Sequence, residues 1–324
     1  MENGGGIETP ISNFLERTDT MVRKENFISI WFIALSAALW GVIAIFVRAL
    51  SKVGFSPMEI VTIRVVTATL LLAIFGIFQK TNQMKIKLLD VKLFIGTGIL
   101  SIVFFNWCYF TTINKMNLSI AVILLYTAPA FVTVLSFLFL KEKVNKIKLL
   151  SVMGTLMGCM FIAGINKSEV SVLGLLTGLG AGFGYSLYSI FGKFALRKYE
   201  SFTVTFYTFL FASIALIPLT GIWKKWSLFS NWDVLLWGMG LGLFPTVIAY
   251  FLYTRGLEKI ETSKASIIAT IEPVVATLLS VFYYKESLGA MQLIGIFIIL
   301  LSVFLVNLSS REGRFLFKRK APIN

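Results

Sequence analysis

The chain contains no histidine and only two cysteines, Cys108 and Cys159, both inside apolar stretches. With that inventory no zinc-type ligand set can be assembled, and a disulfide framework is not what organises the fold. No metal, no cofactor and no catalytic residue is expected. Charge is also scarce. Only 14% of the 324 residues are Asp, Glu, Lys or Arg, against about 25% in ordinary soluble domains. The first 26 residues are polar, and the first apolar run is too long for the core of a cleavable signal peptide. A nucleotide-binding loop is missing as well. The glycine-rich run 174–184 is not followed by a Lys-Ser/Thr pair and lies in an apolar stretch, so an ATP-driven pump is not expected.

What the chain has in quantity is apolar surface. Hydrophobic residues make up 57% of it, more than a soluble fold could cover. Ten segments reach the length of about 20 apolar residues that a membrane-spanning helix needs: 27–49, 57–78, 91–112, 118–140, 148–165, 171–192, 202–220, 233–254, 264–284 and 287–308. The fold class is therefore an all-α polytopic membrane protein. Of the 30 lysines and arginines, 22 fall on the side of the N-terminus along this path, six on the other, and two, Arg48 and Arg64, within helices. That bias places both termini in the cytoplasm. The net charge of +14 then belongs to topology and to anionic lipid rather than to nucleic acid.

Two stretches repeat each other 144 residues apart. Residues 118–142 and 262–286 are identical at nine of 25 positions without a gap, including Pro129/Pro273 and the closing pairs Lys141-Glu142/Lys285-Glu286. Gly96, Gly98 and Tyr109 match Gly240, Gly242 and Tyr253 at the same offset, and an offset near 145 pairs Trp40-Gly41 with Tyr185-Ser186. The copies are the fourth and ninth segments, an offset of five spans, so the halves insert with opposite orientation. Inverted repeats place a ligand site near the bilayer midplane between the halves. The expected organisation is a polar tail over 1–26, five-helix repeats over 27–165 and 171–308, and a basic cytoplasmic tail over 309–324 that anchors at anionic lipid.

Most polar residues have structural explanations. Ser56-Pro57-Met58-Glu59 reads as a capping box, Asp90 and Asp233 suit helix starts, and Arg48 can reach the headgroups from a helix end. Arg64 and Glu272 do not fit these explanations, because both fall near mid-depth, where a charge costs about 2.5–3.5 kcal/mol on insertion scales. They are either a buried pair that orients two helices or the groups that meet a substrate or a proton. Around them the sequence offers Trp40, Asn106, Tyr126, Tyr185 and Tyr250 as lining for a small organic molecule, and Pro129 and Pro273 as points where a gating helix can bend. The motifs Gly154xxxGly158, Gly174xxxGly178xxxGly182 and Gly238xxxGly242 read as close helix packing. The last apolar segment carries almost no polar residue, which suits a peripheral place or a homodimer contact.

Taken together, Trp40-Gly41, Arg64, Pro129, Glu272-Pro273 and the two Lys-Glu pairs resemble the drug/metabolite transporter superfamily, in the branch built from two EamA domains. The resemblance covers residues 28–308. It implies a ten-helix basket around a central cavity in a cell membrane, of the prokaryotic plasma-membrane type. It also implies movement of a small metabolite such as an amino acid, outward in many members, without ATP. Tyr185-Ser186 stands where the second half of relatives often carries a Trp-small pair, and Ser302 replaces a usual glycine. The alternative from a different class is a membrane-embedded enzyme acting on a lipid-linked substrate.

Overall fold

Helices begin in this chain where a polar side chain can take the first free amides. Asn117, Asn145, Ser171 and Asn231 each accept a hydrogen bond from a backbone N–H two or three residues on, at 2.7–3.3 Å. The structure, a computed structural model, describes residues 10–78, 85–164 and 171–318, with side chains described from Glu25 to Leu308. Among the described residues, nine helices are long and apolar enough to cross a membrane. We label them α1 (Glu25–Val53), α2 (Pro57–Phe78), α3 (Leu88–Lys115), α4 (Leu118–Leu140), α5 (Lys146–Ala163), α7 (Ser201–Thr220), α8 (Trp232–Lys259), α9 (Thr262–Tyr284) and α10 (Ala290–Leu308). Between α5 and α7 lies a further helix, α6 (Val172–Ala195). Its glycines, serines and tyrosines lower its hydropathy, and 12 of its 24 residues are buried, so its small residues face protein. Phe78, Phe297 and Phe304, by contrast, are well exposed.

The helical path is longer at both ends than the apolar segments. The first helix starts at Pro10, inside the stretch read as a polar tail, and no glycine or proline interrupts it before Gly41. The last helix runs on to Lys318. The basic anchor expected over 311–320 and the tail before residue 10 lie outside the residues whose side chains are described.

The two copied stretches build the same local structure. In α4 the helix stops at Leu125 and restarts at Ala128; in α9 it stops at Ala269 and restarts at Ile271. The cause is the proline in each copy. Pro129 and Pro273 have no N–H for the carbonyls of residues 125 and 269, four positions earlier. Threonine hydroxyls take up nearby carbonyls at both breaks. Thr127 donates to Leu124 O and Thr270 to Ile267 O, each at 2.6 Å. Thr133 and Thr277 then donate to the proline carbonyls at 2.7 and 2.8 Å.

Each broken helix is packed by a glycine from the other half. A Cβ on Gly41 of α1 would lie 3.0 Å from the Glu272 carbonyl oxygen and 2.8 Å from Val275 Cβ. One on Gly182 of α6 would lie 2.8 Å from the Leu124 carbonyl oxygen. The other paired glycines also pack helices: Gly154 and Gly158 against Ser302 and Ile299 of α10, and Gly242 against Thr67 of α2.

The copies end alike as well. Lys141 and Lys285 both adopt φ 59°, the left-handed region, as the residues that close α4 and α9. The following N–H groups of Glu142 and Glu286 reach back to Ser136 O and Ser280 O at 3.1 and 3.2 Å, a Schellman-type ending. The carboxylates then diverge. Glu142 accepts hydrogen bonds from Thr262 N at 2.5 Å, Ser263 N at 3.1 Å and Ser263 Oγ at 2.6 Å, so it caps the start of α9 from the other half. Glu286 instead faces Arg48 at 3.7 Å in an exposed pair.

Glu142 couples this cap to pH. Burial raises its pKa, but the hydrogen bonds from Ser263 and Thr262 outweigh burial and hold the carboxyl below its ordinary value of 4.5. A group with a lowered folded pKa stabilises the fold fully above the unfolded value and loses that contribution as pH falls through the folded value. Glu142→Gln is therefore expected to cost about 1–3 kcal/mol at pH 7. The melting-temperature gap between wild type and variant in detergent should shrink as pH falls below 4.5. A gap independent of pH contradicts the cap.

Candidate functional site

Breaking α4 and α9 mid-way places two helix starts inside the bundle, and aromatic side chains gather beside them. Trp40 of α1 packs edge-on against Tyr250 of α8 and Tyr185 of α6, with ring centroids 5.0 and 6.3 Å away, and tilted against Tyr253 at 5.2 Å. Tyr188 stands perpendicular to Tyr250 at 5.0 Å, and Phe105 of α3 meets Tyr185 at 5.5 Å. The cluster thus draws on α1, α3, α6 and α8, two helices from each half. Its hydroxyls are paired helix to helix. Ser189 and Tyr253 hydrogen-bond at 2.7 Å, and Tyr188 and Thr254 at 2.6 Å, tying α6 to α8.

Two small cavities open in this region. One is lined by Tyr126, Ala128, Pro129, Val132, Ser266 and Thr270, among others; the second by Trp40, Ser101, Phe105, Tyr188 and Tyr250. Tyr185, Ser189 and Tyr253 form the wall between them, since they line both. Each has room for about one water molecule, whereas metabolite pockets run to roughly 300–1,000 Å³. In the conformation described the two halves are closed on each other here.

The charged residues sit at the edge of this cluster. Glu272 opens the second segment of α9, in its first turn, where the helix dipole favours a negative group. Tyr185 Oη donates to Glu272 Oε2 at 3.4 Å, the long limit for such a bond. Arg64 is 7% exposed, and its Nε and Nη2 are buried with no hydrogen-bond partner. Trp40 Nε1 and Ser36 Oγ, one turn apart on α1, are buried without partners too. Arg64 lies within electrostatic reach of Tyr250 and Glu272, yet it forms no ion pair with Glu272. The buried Arg64–Glu272 pair considered from the sequence is thus absent. Glu272 turns toward Tyr185 of α6 and Tyr126 of α4, and the guanidinium is left with unused donors.

The structure therefore brings Trp40, Tyr126, Tyr185, Tyr250, Glu272 and Pro129 to one region, with Pro273 buried directly behind Glu272. Asn106 does not join them. It is buried, and its amide donates to the Ile102 carbonyl at 2.7 Å on its own helix. Thr246 likewise turns to its own helix, filling the Leu241 carbonyl that Pro245 leaves open, at 2.7 Å. Glu59 and Asp90 each have structural partners. Glu59 and Ser56 bond reciprocally, with Lys225 at 2.7 Å from the carboxylate, and Asp90 is held by Lys198 and Tyr199 at 2.5 and 2.8 Å.

Ser266 and Thr270 are, with Ser101, polar lining residues that inspection of polar spacing missed. A signal for Ser266 and Thr270 exists in the copied segment, where these positions carry Val122 and Tyr126 in the first half. Hydroxyls replace an apolar residue and an aromatic one on the same face that bears Ala128 against Glu272.

The sequence profile of the EamA-like transporter family matches the chain twice, over residues 27–164 and 172–308. An uncharacterized transporter from Archaeoglobus fulgidus is 29% identical over 273 residues, which is 84% of this chain and 94% of the relative. The uncharacterized transporter YwfM from Bacillus subtilis is 24% identical over 299 residues, 90% of this chain and 97% of the relative. A solved crystal structure with 18% sequence identity superposes with a TM-score of 0.72 over 90% of this chain and 98% of its own. At that identity the likeness concerns the fold alone.

The Ser189–Tyr253 bond between α6 and α8 is a tie within the second half that a double-mutant cycle can isolate. Ser189→Ala, Tyr253→Phe and the double variant should give a coupling energy of about 0.5–1.5 kcal/mol in detergent unfolding. Additive effects of the two substitutions contradict a bond between the two hydroxyls.

Proposed function

The chain belongs to the EamA-like transporter family and is a multi-pass membrane transporter; from that premise we propose a secondary transporter that carries a small organic metabolite by alternating access around the Trp40–Tyr250–Glu272 region. The topology proposed is ten crossings with both termini in the cytoplasm, in two inverted five-helix repeats. Trp40, Tyr126, Tyr185 and Tyr250 supply flat apolar faces for the body of the substrate. Arg64 supplies donors for an acidic group. Glu272 accepts a cationic group or a proton. A molecule with both charges, such as an amino acid, matches that pair. Pro129 and Pro273 are the points at which α4 and α9 bend as the halves separate.

The observation that carries this reading is Arg64. A buried guanidinium with two unpartnered nitrogens is costly, and a site that a ligand completes explains its retention. The water-sized cavities fit the same reading, because the halves must part before a metabolite can enter. Glu272 breaks the symmetry of the copied segment, since Ala128 holds the matching place. One carboxylate on one side of a pseudo-symmetric site gives the substrate a single orientation.

The test is uptake into proteoliposomes, with amino acids, nucleobases and vitamins as the panel. For the transported compound, Arg64→Gln should raise KM by about 10- to 100-fold, the equivalent of losing one charged hydrogen bond. Glu272→Gln should abolish the pH dependence of the rate. Unchanged KM and unchanged pH dependence in the two variants overturn the assignment of these residues.

A further inference from the structure

Lys193 of α6 reaches the end of α8 in the same way that Glu142 reaches the start of α9. Its ammonium donates to the carbonyls of Leu257, Glu258 and Ile260 at 2.6, 3.3 and 2.9 Å. The short connection between α8 and α9 is thus held on both sides, its carbonyls by a cation from α6 and its amides by an anion from the end of α4. Thr262 and Ser263 are fully buried beneath this grip.

The repeat supplies a second set of the same parts. At the offset near 145 that pairs Trp40 with Tyr185, Lys193 corresponds to Arg48. At the 144-residue offset, Glu142 corresponds to Glu286, Thr262 and Ser263 to Leu118 and Ser119, and Leu257 and Ile260 to Ile113 and Met116. The second set would therefore hold the connection between α3 and α4. In the structure it does not. Arg48 and Glu286 are 55% and 53% exposed and face each other at 3.7 Å, with the guanidinium stacked 3.9 Å over the Tyr284 ring. Leu118, unlike its counterpart Thr262, is exposed. Asn117 caps the amide of Ile120, which leaves the amides of residues 118 and 119, the counterparts of those that Glu142 binds, for a carboxylate.

We propose that Lys193 with Glu142, and Arg48 with Glu286, are two latches that close opposite ends of the transport pathway in turn, and that the structure holds the first shut and the second released. The proposal rests on the alternating-access reading above. In the opposite state Arg48 moves to the carbonyls that end α3 and Glu286 to the amides of Leu118 and Ser119. Lys193 and Glu142 are then freed together, and no covalent step is involved. The parts are chemically suited to switching. Each is a charged side chain on backbone dipoles at a helix end, worth enough to hold a state and not enough to make it permanent.

The test is sided thiol labelling of the full-length protein in oriented membrane vesicles. The reporter is Thr270→Cys, which lines the cavity, in a Cys108→Ala/Cys159→Ala background. The probe is a charged, membrane-impermeant maleimide. The parent should react faster from the Arg48–Glu286 side. Glu142→Gln should shift the ratio of rates at least about tenfold toward the other side, the equivalent of about 1.4 kcal/mol. Glu286→Gln and Arg48→Gln should shift it the opposite way. A variant that merely loosens the fold raises both rates together, so opposite signs are the signature. If Glu142→Gln does not fold, Ser263→Ala removes one donor of the same latch and should shift the ratio in the same direction, by less. Shifts of equal sign, or none, overturn the latches while leaving transport intact. Exclusion of the probe from both sides in every variant overturns alternating access itself, and the latches with it.

Discussion

Pro129 and Pro273 lack the amide that would bind the carbonyl four residues earlier, and the site is built around the breaks that follow. Each break needs its exposed carbonyls satisfied away from water, and threonine hydroxyls in the same turn do this. Each break also brings a new helix start into the interior. In α9 that start carries Glu272, where the dipole of the following segment helps to hold it. The same interruption lets Gly41 and Gly182 of the opposite halves approach backbone directly. The halves are thus in contact where each is weakest as a helix, which is where a rigid-body motion can be absorbed at least cost.

The interior and the ends divide the work. Inside, the aromatic cluster packs α1 against α6 and α8, with two hydroxyl pairs tying α6 to α8. At the ends, charged side chains hold backbone dipoles. The repeat provides two copies of the second device, yet the molecule shows them in different arrangements. A two-fold pseudo-symmetric chain in one conformation has to be asymmetric somewhere if the halves are to exchange roles. Here the asymmetry lies in Glu142 and Lys193 against Glu286 and Arg48, rather than in the helices that carry them.

Much of this was legible in the chain. Long apolar runs fixed where helices lie, because length and hydropathy suffice for that in a membrane. The 144-residue copy pointed to both prolines and to the unmatched Glu272. Less legible was anything that depends on how side chains reach across helices. Asn106 looks like lining by depth, but it finds a carbonyl on its own helix, a choice that spacing does not reveal. Arg64 and Glu272 both fall near mid-depth and are of opposite charge, yet the carboxylate meets Tyr185 instead. The Lys-Glu pairs are identical in the two copies. Their backbones are the same in both, and their carboxylates have different partners.

The central claim is that the two ends open in alternation about a site closed in the middle. Paired spin labels measure this most directly: Lys146→Cys with Lys259→Cys across the Glu142 end, and Lys115→Cys with Ser287→Cys across the Glu286 end. Each pair should give a short and a long distance population. Adding the transported metabolite should shift the two pairs in opposite senses, one toward short as the other moves toward long. A shift of both pairs in the same sense, or a single fixed distance at each end with and without substrate, contradicts the account.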